Sequence, residues 1–215
     1  MIRRPPRSTQ GVSSAASDVY KRQPMVIART GWSGELSYEL YLQDRKKGDE
    51  LFEIVHEAAK EFNGAVIAPN TIRTIEGGLL SYQSDFGREH NPFTIGLDRL
   101  VDLDQDVDFI GKEALKKIKS EGISEKLVGV EIDGDPIQKV PENFWSVFDE
   151  NSKKIGRLSR CFFSPRLKKN IGLAIIDINY VEPGTPIVIE SPKAHLNAQV
   201  HELPWFPAEK STNLD

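Results

Sequence analysis

Two kinds of hydrophobic spacing divide the chain. Met25–Ala28 is short and apolar, and Leu36, Tyr38, Leu40 and Leu42 alternate with Ser37, Glu39 and Tyr41, a period of two that predicts strands. In a strand Ser37, Glu39 and Tyr41 project to one face and the aliphatic set to the other. The aliphatic face is expected to pack on helices. Leu51, Phe52, Val55, Ala58, Ala59 and Phe62 recur at helical spacing and predict an amphipathic helix over 47–62. Asn70 is a good N-cap for a second helix over 71–82, with Ile72, Ile75 and Leu79 on one face. Gly77-Gly78 weakens that helix unless close backbone packing requires it. "GKEALKKIKSEG" predicts a third helix, from Gly111 to near Gly122. Past residue 125 the helical spacing stops. "KLVGVEI", "FWSVFD", "KIGRLSR", "NIGLAII", "TPIVIE" and "LNAQVHEL" read as short strands, separated by Asp133-Gly134, Asn151-Ser152 and Pro183-Gly184 turns. Such a series points to a small antiparallel barrel or sandwich. The fold class is therefore α+β: a mixed region over 24–122, a junction at "EGISEK", an all-β domain over 126–208 and a polar tail over 209–215.

Composition narrows this picture. The chain has 215 residues, enough for one large domain or two small ones, and its 39% hydrophobic and 28% charged content is that of a soluble globular protein. No apolar run approaches the roughly 20 residues that span a bilayer, so no membrane partner is expected. A net charge of −4 argues against a broad nucleic-acid surface. Cys161 is the only cysteine, which rules out an internal disulfide and agrees with a reducing, cytoplasmic setting. Burial is the expected state of its thiol. His56, His90, His195 and His201 lack metal-ligand spacing, so no metal is expected.

The first 23 residues differ from the rest. They carry Arg3, Arg4, Arg7, Lys21 and Arg22 against Asp18 alone, are Ser-rich and show neither periodicity. A transit peptide has this composition, but Pro5-Pro6 would break its amphipathic helix. The string resembles a translated sequencing-adapter read-through. Residues 1–23 are accordingly expected to be a non-native, disordered tail, and no localisation is drawn from them.

Chemistry concentrates in "RTGWSGELSYEL", from Arg29 to Leu40. Gly31 and Gly34 permit unusual backbone angles and leave room for a ligand. Glu39 is flanked by a hydroxyl and a phenol on its face, an arrangement that also suits plain solvent surface, and Trp32 also suits a core. The segment resembles the folate-site motif of the glycine-cleavage T-protein superfamily, R-T-G-Y-T-G-E-x-G-F-E. "APNTIRTIEGGLLSYQSD", "NPFTIGLDRLVDLDQDVDFIGKEAL" and "IGRLSRCFFSPRLKKNIGLAIIDINYVEPGT" resemble three further blocks of that family, in order, so the resemblance runs from residue 25 to 208. Within the superfamily, Trp32, "IEGGLLSY", the "GLDRLVDL" block and "FWSV" look like the dimethylsulfoniopropionate demethylase branch.

The resemblance implies tetrahydrofolate as cofactor and a small-molecule one-carbon donor. Glu39 would accept a pterin ring N–H and exocyclic amine together, and Arg73 would contact planar or anionic folate groups, its alternative being a helix-surface arginine near Glu76. A sulfonium donor would favour the aromatic faces of Trp32 and Tyr41, which count as candidates for both cofactor and substrate contact. Methyl transfer from dimethylsulfoniopropionate would give 3-(methylsulfanyl)propanoate and 5-methyltetrahydrofolate by in-line displacement, with no catalytic nucleophile on the protein. The alternatives are an aminomethyltransferase of glycine cleavage, which needs a lipoyl carrier protein, a non-catalytic folate-binding relative, and the folate domain of a dimethylglycine or sarcosine dehydrogenase. Tyr82 and Asp85 read as structural. The family's late folate-contacting arginine would fall near Pro192-Lys193, where Lys193 is the only candidate. The family's chain begins before Pro24, so this chain is expected to bind folate poorly and to lack useful turnover.

Overall fold

The computed structural model describes residues 16–20, 23–32, 34, 36–68 and 70–206. The expectations for 1–15, 21–22 and 209–215 lie outside these. The chain forms two compact units, one ending at Asn70 and the other beginning at Thr71.

In the first unit, β1 (Ala16–Tyr20), β2 (Gln23–Ala28) and β3 (Glu39–Leu42) form an antiparallel sheet in that order. Ala28 lies opposite Glu39 and Val26 opposite Tyr41. β1 corrects the expectation of disorder across the whole tail. Backbone N–H and C=O groups on the edge of β2 need partners, and an adjacent extended segment supplies them whatever its side-chain period. β3 is shorter than its period-2 pattern because β2 ends opposite Glu39, so residues 36–38 have no ladder partner. Helix α1 (Gly48–Lys60) matches its expected span and carries Asp49 and Glu50 in the first turn and Lys60 in the last, the charge order its dipole favours. The expected packing of the aliphatic face on helices is not found. Leu36, Tyr38 and Leu40 are exposed, and α1 buries no residue. On the sheet itself Met25 is buried, while Val26, Ile27, Ala28 and Leu42 are half-buried.

The second unit opens with α2 (Thr71–Glu76), half its expected length. Gly78 takes φ +62, a left-handed angle, and the backbone closes with Gly78 N–H donating to Ile75 O at 3.0 Å and Leu79 N–H to Thr74 O at 2.8 Å. A Cβ at Gly78 would touch Leu203 and Pro204 at ordinary distance, so the glycine answers to the turn more than to packing. Helix α3 (Lys112–Glu121) runs between Gly111 and Gly122, both at positive φ.

All six expected strands then appear: β4 (Glu125–Ile132), β5 (Trp145–Phe148), β6 (Lys154–Ser164), β7 (Lys169–Asp177), β8 (Pro186–Glu190) and β9 (His195–His201). They close an antiparallel barrel in the order β4-β7-β6-β5-β8-β9. Its interior is built from Val130, Val147, Leu158, Ile176, Ile189 and Val200, all nearly or fully inaccessible. A second cluster packs Ile75 of α2 against Ile171, Leu173 and Trp205. The register of β6 on β7 shifts between Leu158 and Arg160, and Ser159 and Arg160 are both buried there. A bulge of this kind re-aims side chains that strict alternation would separate. The second compact unit takes in α2 and the turns after it as well as the barrel, because side chains anchor α2 to β6 and β7.

Candidate functional site

In the first unit, β3 places Glu39 and Tyr41 on one face two residues apart. Thr30 donates its hydroxyl to Glu39 Oε2, and Ser37 Oγ donates to Thr30 O at 3.2 Å, folding the entry turn back on the strand. Gly31 is required by that fold, since a Cβ there would run into Ser37 Oγ. Gly34 takes φ +76. The Tyr41 phenol is pushed above its ordinary pKa, first by its hydrogen bond to Glu39 and then by desolvation. Glu39 and Tyr41 are exposed, and Trp32 is 57% exposed, so the core alternative for that tryptophan does not hold. Thr30 escaped the sequence reading as a site residue. Its signal was its place just before Gly31 in the motif.

In the second unit, Arg73 lies on α2 with a 34% exposed side chain, and its Nη1 donates to Glu76 Oε2 at 3.1 Å. Glu76 is buried, accepts from Ser164 Oγ at 2.7 Å and has Arg166 Nη1 at 3.7 Å. Asp85 is fully buried and serves structure: Arg160 grips it through Nε at 2.8 Å and Nη2 at 2.6 Å, while Ser159 Oγ and Ser81 N–H also donate to it. Arg160 Nη1 reaches Thr74 Oγ1 at 2.9 Å. Tyr82 meets Phe86 edge-on, with its ring half exposed. Lys193 lines a cleft of about 1060 Å³ between residues 133–146 and 190–196, together with Phe144 and Trp145.

Burial pushes the Cys161 thiol up to about 12, which leaves it unreactive. Among the described residues, Glu53, His56 and Glu57 on α1 bring ligand atoms within 4.8 Å of one another. Glu57 is already paired with Lys60 on the open helix surface. Among those residues, too, no helix is long and apolar enough to cross a membrane.

Residues 12–105 match the GCVT N-terminal domain, and residues 125–207 match the glycine cleavage T-protein C-terminal barrel domain. An aminomethyltransferase of Geobacillus sp. is 36% identical over 189 residues, which cover 86% of this chain and 50% of that protein. Dimethylsulfoniopropionate demethylase DmdA of Ruegeria pomeroyi is 28% identical over 183 residues, covering 84% of this chain and 48% of that one. The crystal structure of glycine cleavage system aminomethyltransferase T from Bartonella henselae superposes with a TM-score of 0.75 at 20% identity, over 86% of this chain and 50% of that one, a likeness of fold. The chain spans about half the length of the curated relatives it matches. With two T-protein domains matched in order and the closed barrel in place, the chain belongs to the glycine-cleavage T-protein superfamily.

Proposed function

We propose that the chain carries part of a tetrahydrofolate-dependent one-carbon transferase, with an aminomethyl donor presented on a lipoyl carrier protein. The observation that carries the folate half of this reading is the exposed Glu39 carboxylate, oriented by Thr30 and hydrogen-bonded to Tyr41. A carboxylate has about four lone-pair sites. Two protein donors fix its plane and leave room for two more N–H groups side by side, which suits the ring N–H and exocyclic amine of a reduced pterin. Tyr41 donates to Glu39 as a neutral phenol, so it steers the carboxylate without adding a second negative charge. Tetrahydrofolate, when bound, supplies the nitrogen that accepts the one-carbon unit. The residues here bind and align; none is needed as a nucleophile. Arg73 is proposed separately as a contact for an anionic group.

The aminomethyl donor is favoured over a sulfonium because the aminomethyltransferase relative is 36% identical and the demethylase 28%. The second reading, methyl transfer from dimethylsulfoniopropionate, draws on one feature: the open Trp32 indole, a surface on which a desolvated cation gains roughly 1–2 kcal/mol. A protein of the relatives' full length containing this segment separates the two. It should consume aminomethyl-lipoyl carrier in the presence of tetrahydrofolate. Methyl transfer from dimethylsulfoniopropionate, lost in Trp32→Ala, would replace that reading with the second.

A further inference from the structure

We propose that the cleft of about 1060 Å³ between residues 133–146 and 190–196 is a docking groove for an extended segment of a partner protein, one that intersperses proline with arginine. One wall is the loop from β4 to β5. It has no regular structure of its own, yet a buried side chain fixes it from within. Asn170 sets its Nδ2 against Ile132 O, Gly134 O and Asp135 O at 3.3, 3.3 and 3.1 Å, and its Oδ1 accepts from Ile137 N–H at 2.8 Å. Phe163 N–H, on β6, donates to Ile137 O at 2.9 Å. A wall that is already ordered leaves little ordering for a ligand to impose.

The lining selects the occupant. Phe144, half exposed, and Trp145, half-buried, line the cleft with Pro136, Pro141 and Pro192. The Arg157 guanidinium lies 4.2 Å from the Phe144 ring centroid and holds that ring in place. Asp133, Asp135, Glu142 and Glu190 set four carboxylates against the ammonium groups of Lys139 and Lys193, and Lys139 is paired with Glu142 at 2.7 Å. The rim is therefore net negative, and Asp133 and Asp135 are exposed on it. Among the described residues, metal-ligand spacing of three groups occurs at Glu53, His56 and Glu57 and not here. The charge is thus dispersed, which suits a chain bearing several cations better than one ion. That chain cannot add as a strand, because the barrel is closed and offers no edge. A polyproline II segment needs no edge: its backbone stays solvated and its prolines pack on aromatic rings. Arginines between those prolines meet the carboxylates with planar forks. This protein-binding role is separate from the folate reading, which rests on Glu39.

The test titrates a blocked peptide of three Arg-Pro-Pro repeats into the 215-residue chain and follows the Trp145 indole N–H by NMR, with Trp32 and Trp205 as internal references. The groove predicts a saturable Trp145 shift that weakens with added salt and is absent with Glu-Pro-Pro repeats. Arg-Gly-Gly repeats carry the same charge without the polyproline conformation and should bind roughly tenfold more weakly. Affinity for the Arg-Pro-Pro peptide should also fall roughly tenfold in Phe144→Ala and in the double variant Asp133→Asn, Asp135→Asn. The double variant preserves side-chain shape on the exposed rim, so it tests the charge even where loss of the Phe144 ring disturbs the loop, and amide spectra of the barrel confirm each fold. Five results overturn the proposal: no saturable shift, an equal response to Glu-Pro-Pro repeats, equal affinity for Arg-Gly-Gly repeats, an affinity that the double variant leaves unchanged, or displacement of the peptide by tetrahydrofolate, which would make the cleft a small-ligand site.

Discussion

The titration of the Tyr41 phenol, raised by its hydrogen bond to Glu39, is a direct handle on the site. The phenol donates to the carboxylate, and this stabilises the neutral phenol over tyrosinate. Because the folded-state pKa is raised, the contribution is complete below the ordinary phenol pKa and is lost as pH rises through the raised value. Glu39→Gln should bring the Tyr41 transition down toward the ordinary phenol range, read as tyrosinate absorbance against pH. Asp85 is a residue of the opposite kind, with no exposed atom and four protein donors around it. Asp85→Ala strands the Arg160 charge in the interior, and urea unfolding should show a loss of about 3–5 kcal/mol. The shared face of Glu39 and Tyr41 was legible from a period of two. The partner of Asp85 was not: 75 residues separate it from Arg160, and no local pattern connects them.

Elements were legible where their cause is local. Each barrel strand is specified by its own alternation and its own turn residues, and all six formed where expected. α1 likewise follows from its apolar stripe. The exceptions share a cause, which is that length depends on a neighbour. β3 stops where β2 does, and β6 outruns its "KIGRLSR" pattern because β7 continues beside it to Ser164. α2 stops early because Gly77 and Gly78 turn the chain after Glu76. A side chain at Gly78 meets no clash but must hold a left-handed angle. Gly78→Ala should therefore cost about 1–2 kcal/mol in the unfolding of the second unit, measured by thermal or chemical denaturation.

At the scale of the whole molecule, the two units differ in how well they bury apolar surface. The second has a closed barrel and the Ile75 cluster beside it. The first leaves Trp32, Tyr38, Phe62, Val66 and Ile67 exposed. Period-2 spacing says which residues share a face but not what lies against that face, so this exposure could not be read from the sequence. Nor could the division at Asn70/Thr71, which follows from side chains on α2 and the turns beyond it that meet β6 and β7. The family resemblance, by contrast, was carried by the motifs themselves and agrees with the domain matches.

The central claim, that Glu39 presents a pterin-binding carboxylate, is tested most directly by titrating tetrahydrofolate into this chain and its Glu39→Gln variant while following the Trp32 indole and Tyr41 signals by NMR. The account predicts saturable binding, weaker than about 1 μM, with shifts at Trp32 and Tyr41 that vanish in the variant. Tighter binding, or binding that Glu39→Gln leaves unchanged, would contradict it.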